Sequence, residues 1–437
     1  MRLRALLLLL SSFFLTLAPA HAAPTPTEAA ATAVAQQDHT AYTLPPAALA
    51  KAQHLETYRV FNHFAPELWQ ILSVFLILQL GIAARFRNVA NNLTKHRLAQ
   101  AYIFLLLFMV LAGLLSLPFD IYSQHVQLQY GLSVQGWGSW VGDLLKSFAI
   151  AFAFGGLFLG LLFRVIRKYP RTWWLPVWAL ASLLVIAGVY LVPIFIDPLF
   201  NHFEPLSQTH PELVQRLEQV VARGQGINIP PERMFLMKAS AKVTTLNAYV
   251  TGFGGSKRVV VWDTSIAKGT TDEVLFIFGH EMGHYVLGHI LRGVAFGIGL
   301  LLVLFFVGFQ LSRWLIARYG KRWRIPAQDN WAAFYVFVLV LTTLSFLTEP
   351  IQNGLSRHME HDADVYGEEV VHGIVANPQL TGQQAFDLLG ANSFDDPAPH
   401  PFLTRWTGSH PPIWFRAAFA RAYDPWAPGN EPKYFKK

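Results

Sequence analysis

The chain has 437 residues, of which 53% are hydrophobic and only 14% charged; soluble domains carry about 25% charged residues. That ratio excludes a disordered chain and an ordinary soluble enzyme, and it makes lipid part of the solvent. Cysteine is absent, which excludes disulfides, thiolate catalysis and cysteine-ligated metals, and the formal net charge of +7 takes its meaning from where the basic residues lie.

The N-terminus opens with Met1-Arg2-Leu3-Arg4, runs apolar from Ala5 to about Pro19 and closes on Ala20-His21-Ala22. A short basic start, an apolar stretch too short for a span and an A-x-A end predict a secretory signal peptide over residues 1–22. Residues 23–50, rich in Ala, Thr and Pro, read as a flexible linker, and residues 23–60 as an extracytoplasmic connection.

Six long apolar segments follow, near 67–84, 101–119, 147–163, 173–196, 293–311 and 331–348, and only the first holds a charge, Glu67. Their number and cleanliness predict membrane spans. Three loops between them are basic. The first holds Arg85, Arg87, Lys95 and Arg97, and the second Arg164, Arg167, Lys168 and Arg171. The third holds Arg313, Arg318, Lys321, Arg322 and Arg324 against Asp329. Basic short loops stay in the cytoplasm, so residues 197–292 and 349–437 are expected outside it. The positive charge therefore reports orientation and not a nucleic-acid partner, and the exported remainder is net acidic.

Within residues 197–292 the apolar spacing predicts a helix over 211–223, ended by Gly224 and Gly226, and strands over 233–237 and 258–263. Gly252-Phe-Gly-Gly255 reads as a turn. The polar, Pro-rich C-terminal part shows one helix near 411–423. The division expected is thus an N-terminal transmembrane domain of four spans (61–200) and a catalytic domain (201–437) that includes two more spans.

The stretch from Thr271 to His284 carries the chemistry. Thr271 is read as the N-cap, with Asp272 and Glu273 in the first turn. His280 and His284, four residues apart, project from one helix face, as two zinc ligands require. Glu281 stands beside them as a general base for an attacking water. A catalytic zinc needs a third protein ligand, and Asn353–Asp364 is dense in candidates. Glu360 and Asp364 share a helical face with Arg357 one turn earlier. One carboxylate can bind metal while the other accepts a hydrogen bond from a ligand imidazole, and by spacing alone His361 or Asp362 also qualifies.

These motifs resemble the integral-membrane CaaX prenyl protease type 1 family, zinc metalloproteases with a chamber inside a helical barrel, and point to a bacterial member. The resemblance runs from about residue 50 to 423. It rests on Ile196-Asp-Pro-Leu-Phe-Asn201 and Glu204-Pro-Leu206, on Asn247-Ala-Tyr249 with Gly252-Phe253, and on Lys257–Thr264. Gly279-His-Glu-Met-Gly-His284 with Leu287-Gly-His289 also matches, as do Ser356-Arg357-x-x-Glu360-x-x-Ala363-Asp364 and Ser409-His-Pro-Pro412. It implies one zinc ion on His280, His284 and Glu360, Glu281 as base, and Asp364 and Arg357 as outer partners of the ligands. It also implies Asn247 and His410 near the substrate, stabilising the tetrahedral oxyanion. Strand 258–263, with Val260, Val261 and Trp262, is read as an edge onto which an extended peptide pairs. His289 is read as structural, about half a turn off the ligand face, and His358 and His361 as capping or solvent-facing.

The expected fold is mostly α: a polytopic helical barrel in the membrane with an inserted α+β zinc-protease domain. The expected function is a membrane-embedded zinc metalloendopeptidase acting on membrane or exported polypeptides, in quality control or processing, in a bacterial inner membrane with its catalytic domain in the periplasm. Cytosolic prenylated proteins would not reach such a site. Two non-enzymatic readings compete. One is a chaperone or assembly protein with a structural zinc, which a fourth protein ligand such as His361 would mark. The weaker one is a transporter, which no intramembrane charge pair supports.

Overall fold

The structure, a computed structural model, describes residues 23–224, 229–252 and 257–436. The expected signal peptide lies outside these residues. The chain begins not as a loose linker but with helix α1 (Pro26–Gln37), capped by the Thr25 hydroxyl, which accepts from the Glu28 N–H, and opened by Pro26. Its alanines explain the fold: Ala31 and Ala35 are small enough to lie flat on the catalytic core, and Tyr42 follows them into it. Composition alone suggested a linker because Ala, Thr and Pro are common to linkers and to helices that pack closely.

Among the described residues six helices are long and apolar enough to cross a membrane: α2 (Pro46–Gln79), α4 (Arg97–Gln129), α5 (Trp137–Lys168), α6 (Trp174–Leu191, continuing to Phe200), α9 (His289–Trp323) and α10 (Ala333–Val371). They contain 27 to 39 residues, whereas about 20 suffice for the hydrocarbon core. Each therefore projects well beyond the apolar run that identifies it. The first span ends at Gln79, earlier than its composition suggested, because Gly81 in a left-handed conformation (φ 68°) turns the chain into the short α3 (Ile82–Leu93). The basic-loop ends of these helices share an aromatic core that includes Phe104, Phe163, Trp331 and Tyr335.

The insertion after α6 forms a four-stranded sheet of β1 (Phe203–Pro205), β2 (Met234–Met237), β3 (Ala248–Thr251) and β4 (Arg258–Trp262), in the order β1-β2-β4-β3. Amphipathic α7 (Pro211–Arg223) buries Leu213, Val214, Leu217, Val220 and Val221. Then follows α8 (Thr271–Val286), directly before α9. The C-terminal part holds three helices where one was expected: α11 (Pro378–Ser393), α12 (Pro401–Thr407) and α13 (Ile413–Ala422). Their faces are short and mixed, so the period in the sequence is weak, and packing on α8 and α10 completes them.

Both ends of the described chain are pinned to α10. The Lys433 ammonium donates to Glu28 Oε1 (3.0 Å) and Asp362 Oδ1 (2.9 Å), and its side chain is 5% exposed. Two turns on, Glu369 accepts from the Tyr423 hydroxyl and from the backbone N–H groups of Lys433, Tyr434 and Phe435. Lys433→Met would leave Glu28 and Asp362 buried without their cation. It is expected to cost about 3–5 kcal/mol, read as a lowered Tm of the detergent-solubilised full chain, while Lys436→Met on the exposed tail leaves Tm unchanged.

Candidate metal centre

Helix α8 is built to start sharply. The cap is Thr270, one residue earlier than expected. Its hydroxyl accepts from the Glu273 N–H (3.3 Å), and Glu273 Oε2 accepts from the Thr270 N–H (2.7 Å). This reciprocal capping box satisfies two donors left free at the helix start. Two turns on, His280 and His284 face the same way, their ring centroids 4.8 Å apart.

Helix α10 crosses α8 at very short range. A Cβ on Gly283 would stand 3.1 Å from the Ala363 backbone, and one on Gly367 would stand 3.1 Å from the His280 nitrogen. Glycine at those positions lets the two backbones approach and brings Glu360 over the two imidazoles. His280 Nε2 lies 3.1 Å from His284 Nε2 and 3.3 Å from Glu360 Oε2; His284 Nε2 lies 3.4 Å from Glu360 Oε1. Four ligands at metal–donor bonds near 2.05 Å in a tetrahedron stand about 3.3 Å apart, so the spacing fits a metal ion. Glu360 Oε2 is buried without a hydrogen bond, as expected of an oxygen whose partner is an ion. Among the described residues His280, His284 and Glu360 are the group that could hold a metal. Three converging protein donors leave a fourth position open.

The outer contacts set the two rings. The His280 Nδ1–H donates to Asp364 Oδ1 (2.8 Å), which turns the Nε2 lone pair toward Glu360 and fixes the tautomer, as partners of metal-ligating imidazoles do. Asp364 is itself gripped by Arg416, which donates from Nε to Oδ2 (2.9 Å) and from an Nη to Oδ1 (2.6 Å). Arg416 is 6% exposed and lies over the Phe386 ring at 4.4 Å. The sequence reading did not find it. Its signal was a charge inside the apolar run Ile413-Trp-Phe-Arg416-Ala-Ala-Phe419. His289 was placed off the ligand face, yet its Nδ1 meets His284 Nδ1 at 3.1 Å. Gly288 adopts a left-handed conformation (φ 70°), which breaks the helix and resets the phase, so counting along one continuous helix misplaces this ring.

Two expectations are corrected here. Arg357 donates to the carbonyls of Thr404, Arg405 and Gly408 instead of reaching Asp364, so it fastens the turn that carries His410. His361 is neither a ligand nor solvent-facing. Its Nε2 lies 3.5 Å from Glu28 Oε1, and its ring packs edge-on against Phe419.

A cavity of about 670 Å³ opens over the metal donors and is lined by Asn247, His280, Glu281, His410 and Arg416 among others. His410 Nε2 lies 3.3 Å from Glu360 Oε2. Burial raises the Glu281 carboxyl above its ordinary value, which suits a base that must release the proton it takes. Burial also keeps the His410 imidazole below its ordinary value and neutral. For His280, burial opposes the charged form, but hydrogen bonds that the ring donates to Asp364 and then Glu360 outweigh it and hold the ring up at about 10. The pocket thus demands a positive charge, which a cation would supply in place of the proton.

The expected peptide-pairing edge is also corrected. β4, with Val260, Val261 and Trp262, is an interior strand, paired in parallel with β2 and antiparallel with β3. Val260 and Val261 are buried, and a strand paired on both sides has no free backbone groups for a peptide. The outer strand on this side is β3, which begins one residue after Asn247.

The model of the family described as CAAX prenyl protease N-terminal, five membrane helices, matches residues 32–202, and that of peptidase family M48 matches residues 207–424. The Bacillus subtilis metalloprotease YhfN is 30% identical over 86% of this chain and 86% of its own. CAAX prenyl protease 1 of Saccharomyces cerevisiae is 30% identical over 53% of this chain and 49% of its own length. The crystal structure of Ste24p from S. mikatae superposes with a TM-score of 0.75, covering 90% of this chain and 95% of that one at 22% identity.

Arg416→Lys removes the two-pronged grip on Asp364. It is expected to weaken metal affinity roughly 10–100-fold, the range for outer partners of metal ligands, measured by titration against a competing chelator.

Proposed function

The chain belongs to peptidase family M48 as an integral-membrane zinc metalloprotease of the CaaX prenyl protease type, and on that premise we propose that it holds one zinc ion on His280, His284 and Glu360. We propose further that it hydrolyses peptide bonds of membrane or exported polypeptides. The observation that carries this reading is the convergence of three donor atoms at 3.1–3.4 Å beside Glu281, inside one cavity.

The zinc ion supplies Lewis acidity to the scissile carbonyl and to the attacking water when bound. Glu281, half-buried in the cavity wall and raised, takes the proton from the water and returns it to the leaving amine. Asp364, clamped by Arg416, holds His280 with Nε2 toward the metal, and His289 does the same for His284. His410, neutral and facing the cavity, offers a donor to the oxygen on which negative charge develops, and Asn247 lines the same cavity. The chain that leaves Asn247 enters β3, the outer strand, whose free side suits pairing with an extended peptide.

The orientation proposed is that the three basic loops face the cytoplasm and the catalytic residues the periplasmic side of a bacterial inner membrane. Exported and membrane proteins would then meet the site, in processing or quality control. The structural-zinc alternative required a fourth protein ligand; His361 turns instead to Glu28.

Glu281→Gln is expected to lower peptide cleavage by 10²–10⁴-fold while the purified variant retains zinc at wild-type stoichiometry. Equal cleavage by variant and wild type would overturn the mechanism. Reporter fusions after residues 90, 240 and 430 test the orientation: the first is expected to report the cytoplasm and the other two the opposite side. A cytoplasmic signal at 240 or 430 would revive cytosolic substrates.

A further inference from the structure

A second cavity, of about 850 Å³, opens at the other end of the helices, between the ends of α5 and α9 and the segment 324–329. Helix α9 runs from His289, against the metal-binding rings, to Trp323, and its cavity-lining residues Arg313 to Lys321 lie roughly 36–48 Å along the helix from His289. It belongs to no part of the catalytic machinery. Its volume is within the range of pockets that hold small-molecule ligands.

The lining is of two kinds. Arg167, Arg313, Lys321 and Arg324 face it, with Asp329 the one acid. Among the described residues no carboxylate stands within 4.0 Å of any of the four cations. The Arg167 guanidinium lies over the Trp331 ring (5.6 Å) and that of Arg313 over Phe309 (5.3 Å), which settles two of the stems without neutralising the charge. The remaining wall is apolar and includes the exposed Pro170, Ala317, Pro326 and Ala327. Next to the mouth, Tyr169 and Trp314 are exposed, the aromatic pattern of the membrane–water boundary.

Four cations face this opening against the single carboxylate of Asp329, and the excess charge is self-repelling unless a further anion sits among them. A phosphate group supplies that anion. A free phosphate would gain nothing from the apolar wall, whereas a phospholipid meets both halves of the lining at once. Basic pockets between spans on the side of the basic loops are the places where anionic headgroups bind. We propose that this cavity binds an anionic phospholipid. Arg167, Arg313, Lys321 and Arg324 hold its phosphate, and its glycerol and first acyl carbons lie along Pro170, Ala317 and Pro326. The lipid ties α5 to α9 across the 324–329 connection.

The test uses the full chain in non-ionic detergent, titrated with phosphatidylglycerol or phosphatidylcholine and read by native mass spectrometry and Tm. Phosphatidylglycerol is expected to stay bound one to one and to raise Tm, and phosphatidylcholine to do neither. The variant Arg167→Gln/Arg313→Gln/Lys321→Gln should lose at least tenfold in phosphatidylglycerol affinity. Arg85→Gln/Lys95→Gln/Arg171→Gln, which removes equal charge from the same side outside the cavity, should bind as wild type. Arg313→Gln alone, at an exposed position, should weaken binding several-fold and keeps the test valid if the triple variant does not fold. Equal binding by the cavity variants and wild type, or equal loss in the control variant, overturns the site. The same Tm rise from inorganic phosphate or glycerol 3-phosphate, lost in the cavity variants, overturns the lipid as its source.

Discussion

The crossing of α8 over α10 is the contact on which the rest of the site depends. Zinc-ligand geometry tolerates errors of a few tenths of an ångström, and here one donor comes from a helix that starts 62 residues after the other, at Ala333 against Thr271. Ordinary helix pairs pack with axes 8–10 Å apart, set by their side chains. Gly283 against Ala363, and Gly367 against the His280 backbone, remove those side chains. The distance from imidazole to carboxylate is thereby set by backbone on backbone, the stiffest contact available.

Around that crossing the structure spends its charged residues on orientation. Arg416 holds Asp364, Asp364 holds His280, and His280 faces Glu360: a buried chain of charge-assisted bonds that begins on the last helix and ends at the metal donors. Charged pairs out of water stabilise only when their geometry is satisfied, and a bidentate guanidinium with a ring stacked beneath it meets that condition. The same logic repeats on the far side of α10, where Lys433 and Glu369 fasten both ends of the described chain. The ligand helix is thus gripped from two faces, and the long apolar part of α10 anchors it in the membrane.

The zinc helix was legible in the sequence because its information is local. An i, i+4 pair of histidines and a neighbouring glutamate all lie on one continuous helix, where spacing determines direction. The spans were legible because each is a long uninterrupted apolar run. His289 was misplaced by the same rule that placed His284, since Gly288 breaks the helix between them and phase does not carry across. Arg357 shares a helical face with Glu360 and Asp364, yet a shared face does not say which neighbour lies nearer, and the carbonyls of the 404–408 turn took it. The N-terminal segment looked like a linker because an alanine-rich helix declares itself only through the surface it covers.

By itself, the sequence determined that this is a membrane protein of six apolar helices with a two-histidine, one-glutamate zinc-protease motif. Those features follow from composition and short-range period. The tertiary structure alone decided that β4 is interior and β3 the outer strand, that Arg416 reaches the site from the C-terminal helix, and that both ends of the described chain pack on α10. Each of these depends on pairing between segments far apart in the chain, which no local pattern encodes. The metal site stands at the junction of the two: its histidines are named by local spacing, Glu360 by the family resemblance, and its geometry exists only where two helices touch.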